Sequence, residues 1–181
     1  MKSLQDILFG VSIQQVIGST NIDVNSIEID SRKVQRGTVF VAIEGVQVDG
    51  HTFIHTAVEK GAIAIVCQKL PATQEAHVTY IVVGNSNEAV AIMAHQFFGN
   101  PSEKVKLVGV TGTNGKTTVA TLLFKLFSAL GYQCGLISTV QNHIGSQIVP
   151  STHTTPDAIS LNKLLNDMVV SGCTHVFMEC S

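Results

Sequence analysis

The chain has no tryptophan and only two tyrosines, and aromatic residues make up 6% of its 181 positions. Any core must therefore be built mainly from aliphatic side chains, and these are plentiful in a chain that is 45% apolar. Charge is equally sparse, with 11 lysines and arginines against 13 aspartates and glutamates. A net charge of -2 lacks the basic excess with which a general nucleic-acid binder neutralises phosphates. It does not exclude a small anionic ligand, for which a few local donors suffice. Long apolar runs are missing too. Mean hydropathy is +0.31, yet the runs are as short as Ile63 to Cys67 and none approaches the ~20 residues of a membrane span. Met1 to Asp6 lacks the continuous apolar stretch of a secretory leader, so a cytoplasmic location is expected. The four cysteines, Cys67, Cys134, Cys173 and Cys180, form no C-x-x-C pair and lie in or beside apolar stretches. Buried reduced thiols are expected, rather than a disulfide framework or a zinc site. The seven histidines are scattered, and Cys173 with His175 is an isolated C-x-H. A lone histidine is more often structural than a ligand.

At roughly 100–200 residues per domain, the length suits one or two domains. The first half reads as short strands alternating with amphipathic helices. Strands are expected at Ile27–Ile29, Val39–Ile43, Ile63–Cys67 and Tyr80–Val83. A short helix carries Phe53, Ile54, Ala57 and Val58 and stops at Gly61. A second helix, about Asn87 to Phe98, places Ala91, Ile92, His95 and Phe98 near one stripe. Gly99-Asn100-Pro101-Ser102 then punctuates the chain, and the boundary is placed near Pro101.

The second half reads strand, glycine-rich turn, helix, strand, hairpin, helix, strand. Val119, Leu122, Leu123, Leu126, Phe127 and Leu130 give the first helix an apolar face, and Gly131 ends it. Thr155-Pro156-Asp157 reads as the start of the last helix, with Thr155 as cap, Pro156 in the first turn and an acid at the positive end. Such alternation implies an α/β fold with a parallel sheet wound on both faces.

Gly109 to Thr118, reading GVTGTNGKTT, is the most informative segment. It lies between an apolar strand and a helix, where successive backbone N–H groups and the helix N-terminus converge on one point and favour a polyphosphate. Gly112 and Gly115 permit backbone conformations that a side chain would obstruct. Lys116 supplies a point charge for the outer phosphates, and Thr117 a hydroxyl for Mg²⁺. A strict Walker pattern would need glycine where Val110 stands. A turn that only connects strand and helix would not need Lys-Thr at this place.

Thr111 to Thr118 resembles the ATP loop of the Mur ligases, the family that builds the peptide stem of the bacterial cell wall, whose loop is itself a Walker variant. The resemblance extends to Asp30-Ser31-Arg32-Lys33-Val34, Gly37, Val39-Phe40-Val41-Ala42, Gly45 and Asp49-Gly50-His51 upstream. Thr154-Thr155-Pro156-Asp157 and Met178-Glu179-Cys180-Ser181 continue it downstream. Together these motifs are most similar to the member that forms the tripeptide. The resemblance implies a small mixed α/β, UDP-binding N-terminal domain over residues 1–101. Residues 102–181 would then be the first, incomplete part of a P-loop-type, parallel-sheet ATP-binding domain.

The roles implied by this resemblance are as follows. Ile29, Ser31 and Val46-Gln47-Val48 would hold the UDP end of the substrate. Gly112, Thr113, Asn114, Gly115, Lys116, Thr117 and Thr118 would hold ATP, with Lys116 catalytic. Thr117 and Glu179 would bind Mg²⁺, and His153, Thr154, Thr155 and Ser181 would contact the muramoyl-peptide. His153 stands where asparagine often occurs in the family, and Val46 where a more polar residue can occur. The implied activity is ATP-dependent amide formation in peptidoglycan precursor synthesis. A diamino acid, diaminopimelate or lysine, is added to UDP-MurNAc-L-Ala-D-Glu through an acyl phosphate. Because the family's carbamylated lysine and third domain would lie past Ser181, the 181-residue chain alone is expected to be inactive. Two alternatives stay open: a ligase that adds D-Ala-D-Ala to the tripeptide, and a UDP-sugar or nucleotide-binding module without turnover. Oligomeric state is left open as well. Asp30-Ser31-Arg32 also reads as an ordinary surface turn, Thr155 as a plain helix cap and Glu179 as a satisfied acid at the core's edge.

Overall fold

A computed structural model describes residues 2–45, 48–150 and 156–180. The chain divides into two units, Met1–Phe97 and Phe98–Ser181. Val46, Gln47, His153, Thr154, Thr155 and Ser181, all named above, lie outside the described residues.

The first unit runs β1 (Lys2–Ser3), α1 (Leu4–Ile7), β2 (Ile13–Ile17), β3 (Asp23–Val24), β4 (Ser26–Glu28) and β5 (Thr38–Val41). A 3-10 turn, Gly50–Phe53, leads into α2 (Ile54–Glu59), β6 (Ala62–Cys67), β7 (Thr79–Val83) and α3 (Ser86–Phe97). Its main sheet has the order β2-β7-β6-β5-β4. β4 to β7 are parallel and β2 is an antiparallel edge. Every residue of β5 and β7 is buried, as strands covered on both faces require. The phenol of Tyr80, the largest fully buried side chain, accepts a hydrogen bond from the Glu75 N–H at 3.0 Å. At Gly61 φ is +97°, and a Cβ there would lie 3.0 Å from the Arg36 Cα, so only glycine ends α2 in this way.

α3 differs from the expected stripe. Its buried face is Ala89, Val90, Met93 and Ala94, not Ala91, Ile92, His95 and Phe98. The small residues let α1 approach, where Leu4 and Ile7 are fully buried. The expected stripe is therefore not the buried face.

The second unit opens with a 3-10 turn, Pro101–Lys104, and continues with β8 (Lys106–Val110), α4 (Lys116–Ala129), β9 (Cys134–Ile137) and β10 (Gln141–Ile144). β11 (Gln147–Pro150), α5 (Ala158–Val170) and β12 (His175–Glu179) complete it. The sheet order is β11-β10-β9-β12-β8. β9, β12 and β8 are parallel, while β10 and β11 add an antiparallel hairpin. The expected parallel sheet is thus its central part, and the whole is a mixed α/β arrangement. Successive strand residues point to opposite faces, and the core follows that alternation. Cys134, Leu136 and Phe177 pack with Ala120, Leu123, Phe124 and Phe127 of α4. Ile137 and Val176 pack with Leu161, Leu164, Leu165 and Met168 of α5. The two helices therefore cover opposite faces. The α4 residues grouped together in the sequence separate here, because Val119, Leu122, Leu126 and Leu130 form a second, exposed stripe.

Both helices end in the same way. Tyr132 N–H bonds Phe127 O and Gly131 N–H bonds Ser128 O, while Cys173 N–H bonds Met168 O and Gly172 N–H bonds Val169 O. These are Schellman caps, each with a glycine at positive φ. The start of α5 corrects the sequence expectation. Its cap is Asp157, whose carboxylate accepts from Ile159 N–H and Ser160 N–H at 2.9 Å each, and Pro156 precedes the helix. A carboxylate reaches these first-turn donors and also suits the positive helix end.

Cys67, Cys134 and Cys173 are buried free thiols, and Cys180 is a half-buried one. Burial pushes the Cys67 thiol up to about 11. His51 and His55 stand four residues apart, but their rings are engaged separately. Asp49 Oδ1 holds His51 Nδ1 at 2.6 Å and Gln68 N–H donates to His51 Nε2 at 2.9 Å. His55 is exposed and faces Glu59.

Candidate functional site

In the second unit, three parallel strands end side by side. β12 runs parallel to β8 with Glu179 opposite Val110, and Cys180 N–H bonds Val110 O at 2.8 Å. The glycine-rich loop leaves from this end of β8, where ligands of open parallel sheets gather. Gly112 has φ +143° and Gly115 φ +79°. Gly115 is the N-cap of α4 and carries no side chain to accept from the first-turn N–H groups. A Cβ on Gly115 would meet nothing within 4 Å, and one on Gly112 would reach only Asn114 O at 3.9 Å. The loop therefore leads into a helix whose positive end has no side-chain cap. Lys116 is half-buried and its Nζ donates to Gly112 O at 2.8 Å, placing the ammonium over the loop.

Glu179 is buried, with 9% of its surface exposed. Its Oε2 accepts from the Thr117 hydroxyl at 3.0 Å, the Thr139 N–H at 3.2 Å and the Thr139 hydroxyl at 3.1 Å. Burial pushes this carboxyl up, but the Thr139 N–H, the Thr117 and Thr139 hydroxyls and the charge on Lys116 outweigh it. The net shift is downward. The structure thus brings Lys116, Thr117 and Glu179 together. Thr139 was not expected from sequence. It lies two residues past β9, and only the fold brings it to Glu179.

The donor set limits which cation would fit. One carboxylate and one hydroxyl do not make an all-protein metal cage, and among the described residues no cluster of three His, Cys, Asp or Glu forms. A hard ion that keeps waters and shares its coordination with substrate phosphates suits such a pair.

The first unit carries a separate cavity of about 670 Å³. That volume lies within the ~300–1,000 Å³ common for small-molecule sites. Ile29, Ser31 and Val48 line it, as do Asp30, Arg32, Phe53 and Asn87. Asp30 and Arg32 form the surface turn also expected there. Arg32 donates from Nε to Oδ1 at 2.9 Å and from Nη2 to Oδ2 at 2.8 Å, and Arg32 N–H bonds Oδ1 at 2.9 Å. These contacts, the side-chain pair foremost, hold the Asp30 carboxyl down at about 2. Lys60 Nζ donates to Ser31 O at 3.1 Å and secures the turn from below. Asn87 is brought in from the first turn of α3, a contribution that no local sequence pattern announces.

Two family models match the chain. One, described as "Mur ligase family, catalytic domain", matches residues 23–98, and one described as "Mur ligase middle domain" matches residues 110–181. The chain belongs to the Mur ligase family. It is 55% identical over 179 residues to a Cytophaga hutchinsonii protein named UDP-N-acetylmuramoyl-L-alanyl-D-glutamate–2,6-diaminopimelate ligase. It is 52% identical over 178 residues to a protein of the same name from Bacteroides fragilis. Each match covers 98% of this chain and 37% of the relative, so the chain spans about a third of the length of these Mur ligases. Among solved structures, one of a ligase of that name matches 99% of this chain and 36% of its own, with a TM-score of 0.76 and 27% identity. A MurF ligase from Thermotoga maritima in complex with ADP matches 86% of this chain and 32% of its own, with a TM-score of 0.57 and 28% identity.

Proposed function

We propose that this Mur ligase chain supplies the nucleotide site and the UDP site of an ATP-dependent ligase that adds diaminopimelate to UDP-MurNAc-L-Ala-D-Glu. The observation that carries this reading is the convergence of Lys116, Thr117 and Glu179 on one glycine-rich loop, in a chain 46–55% identical to five diaminopimelate ligases. Diaminopimelate is preferred to lysine because those relatives bear that name. The tripeptide-forming step is preferred to the addition of D-Ala-D-Ala because the fold match is closer, at a TM-score of 0.76 against 0.57.

In this reading Gly112 to Thr118 bind the phosphates of ATP through backbone N–H groups, and Lys116 offsets charge on the outer phosphates. Thr117 and Glu179 hold Mg²⁺, which would supply charge neutralisation at the transferring phosphoryl group. Ile29, Ser31 and Val48, with Val46 and Gln47, hold the UDP end. His153, Thr154, Thr155 and Ser181 would contact the muramoyl-peptide by the family resemblance alone. A carboxylate and an ammonium group do not condense in water. Phosphorylation of the carboxylate releases ADP and gives an acyl phosphate, from which the incoming amine displaces phosphate. A cytoplasmic setting, where ATP and UDP-linked precursors are available, belongs to this proposal.

Calorimetric titration of the 181-residue chain with ATP in Mg²⁺, and separately with UDP-MurNAc-L-Ala-D-Glu, tests the reading. Saturable binding of both is expected. Lys116→Ala should weaken ATP about tenfold or more, the scale of a lost charge-assisted contact, and leave the UDP ligand's affinity as it was. Binding of neither ligand by the wild-type chain would sink the proposal.

A further inference from the structure

Glu179 has a partner that the nucleotide reading does not use. Among the described residues, all its hydrogen bonds fall on one oxygen, Oε2, and two of the three come from Thr139. We infer that Thr139 is a positioning residue for the cation, clamping Oε2 so that Oε1 is the carboxylate oxygen directed to a divalent ion. The inference rests on the proposed nucleotide site.

The segment holding Thr139 is built to stay in place. Ser138 follows β9 directly and is buried, and so is Asn142 in β10. Asn142 Oδ1 accepts from Ser138 N–H at 3.2 Å, and Ser138 Oγ donates to Gln141 O at 2.7 Å. Gln141 N–H returns a bond to Ser138 Oγ at 3.3 Å. Side chains thus tie both ends of the Ser138–Gln141 turn, and Thr139 projects from it with its N–H and its hydroxyl both aimed at Glu179. Val140, next in the turn, is 72% exposed, so packing of the turn's tip does not explain this arrangement. A carboxylate clamped on one oxygen loses little further freedom when the other meets a cation, and pre-orientation of this kind tunes ligand sites from outside the ligand set. The Thr117 hydroxyl donates its proton to the same Oε2, which leaves its lone pairs directed away from Glu179.

The test compares ATP affinity in excess Mg²⁺ with ATP affinity in EDTA, for wild type, Thr139→Val and Thr139→Ser. Valine keeps the backbone N–H and the side-chain shape but removes the hydroxyl, and serine restores it. The gain in affinity that Mg²⁺ confers should fall about tenfold or more in Thr139→Val, as expected for losing one hydrogen bond to a charged group. Thr139→Ser should recover most of it. Manganese titration followed by water-proton relaxation should show the same order without relying on nucleotide affinity alone. An equal Mg²⁺ gain in wild type and Thr139→Val, with both folded by circular dichroism, overturns the positioning role and leaves the nucleotide site standing. Failure of the wild type to bind ATP in either condition overturns both.

Discussion

Asp30 and Arg32 show how a short sequence can serve a turn and a cavity together. The guanidinium, bonded through Nε and Nη2, and the Arg32 N–H lower the Asp30 carboxyl to about 2. An unfolded aspartate titrates near pH ~4, so the folded form binds its proton less readily. Stability from this contact is therefore complete above about pH 4 and is lost as the pH falls toward about 2. Comparing wild type with Asp30→Asn by thermal melting should show a difference that is constant near neutrality and shrinks across that window. The effect should be small, because Arg32 is mostly exposed and solvent weakens such pairs. An acid-independent difference would mean that the turn is held by its backbone alone. Glu179 differs in kind: it is buried, and its anion is kept by hydroxyl and amide donors rather than by an ion pair.

Helix ends and faces carry the next level. Asp157→Ala removes the acceptor for two first-turn N–H groups of α5 and should lower the stability of the second unit by about 1 kcal/mol, read by urea unfolding. On the sheet, Phe177 is fully buried against Phe127, with ring centroids 5.2 Å apart. Phe177→Ala should cost about 3–5 kcal/mol. Leu126→Ala, on the exposed stripe of α4, should stay within about 0.5 kcal/mol of wild type. Reversal of that order would show that the stripe is packed in solution. These two residues also mark what was legible in the sequence. Periodicity identified α4 as a helix and glycine its end, because both signals are local. It could not divide Val119, Leu122, Leu126 and Leu130 from Leu123 and Phe127, since an almost continuous apolar circumference has no unique inner face. α3 differs for a related reason, since apolar residues such as Ala91 and Ile92 lie outside its buried face as well as Ala89, Val90, Met93 and Ala94 within it. The loop, Thr117 and Glu179 were legible because they fall in one motif or at a strand end. Thr139 and Asn87 were not, because only tertiary structure brings them to their sites.

Each of the two units carries a candidate site among the described residues, a glycine-rich loop beside the hydrogen-bonded Glu179 carboxylate in one and a cavity of about 670 Å³ in the other. The loop from Gly112 to Thr118 is proposed as the place where nucleotide phosphates bind. The most direct measurement is an NMR titration of the isotopically labelled chain with ATP and Mg²⁺, following the backbone amides. The largest shifts should fall on Gly112 to Thr118, with smaller ones at Thr139 and Glu179, and amides lining the first unit's cavity should hold their positions. Saturable binding that leaves the loop amides unshifted would put the nucleotide elsewhere and overturn the proposed site.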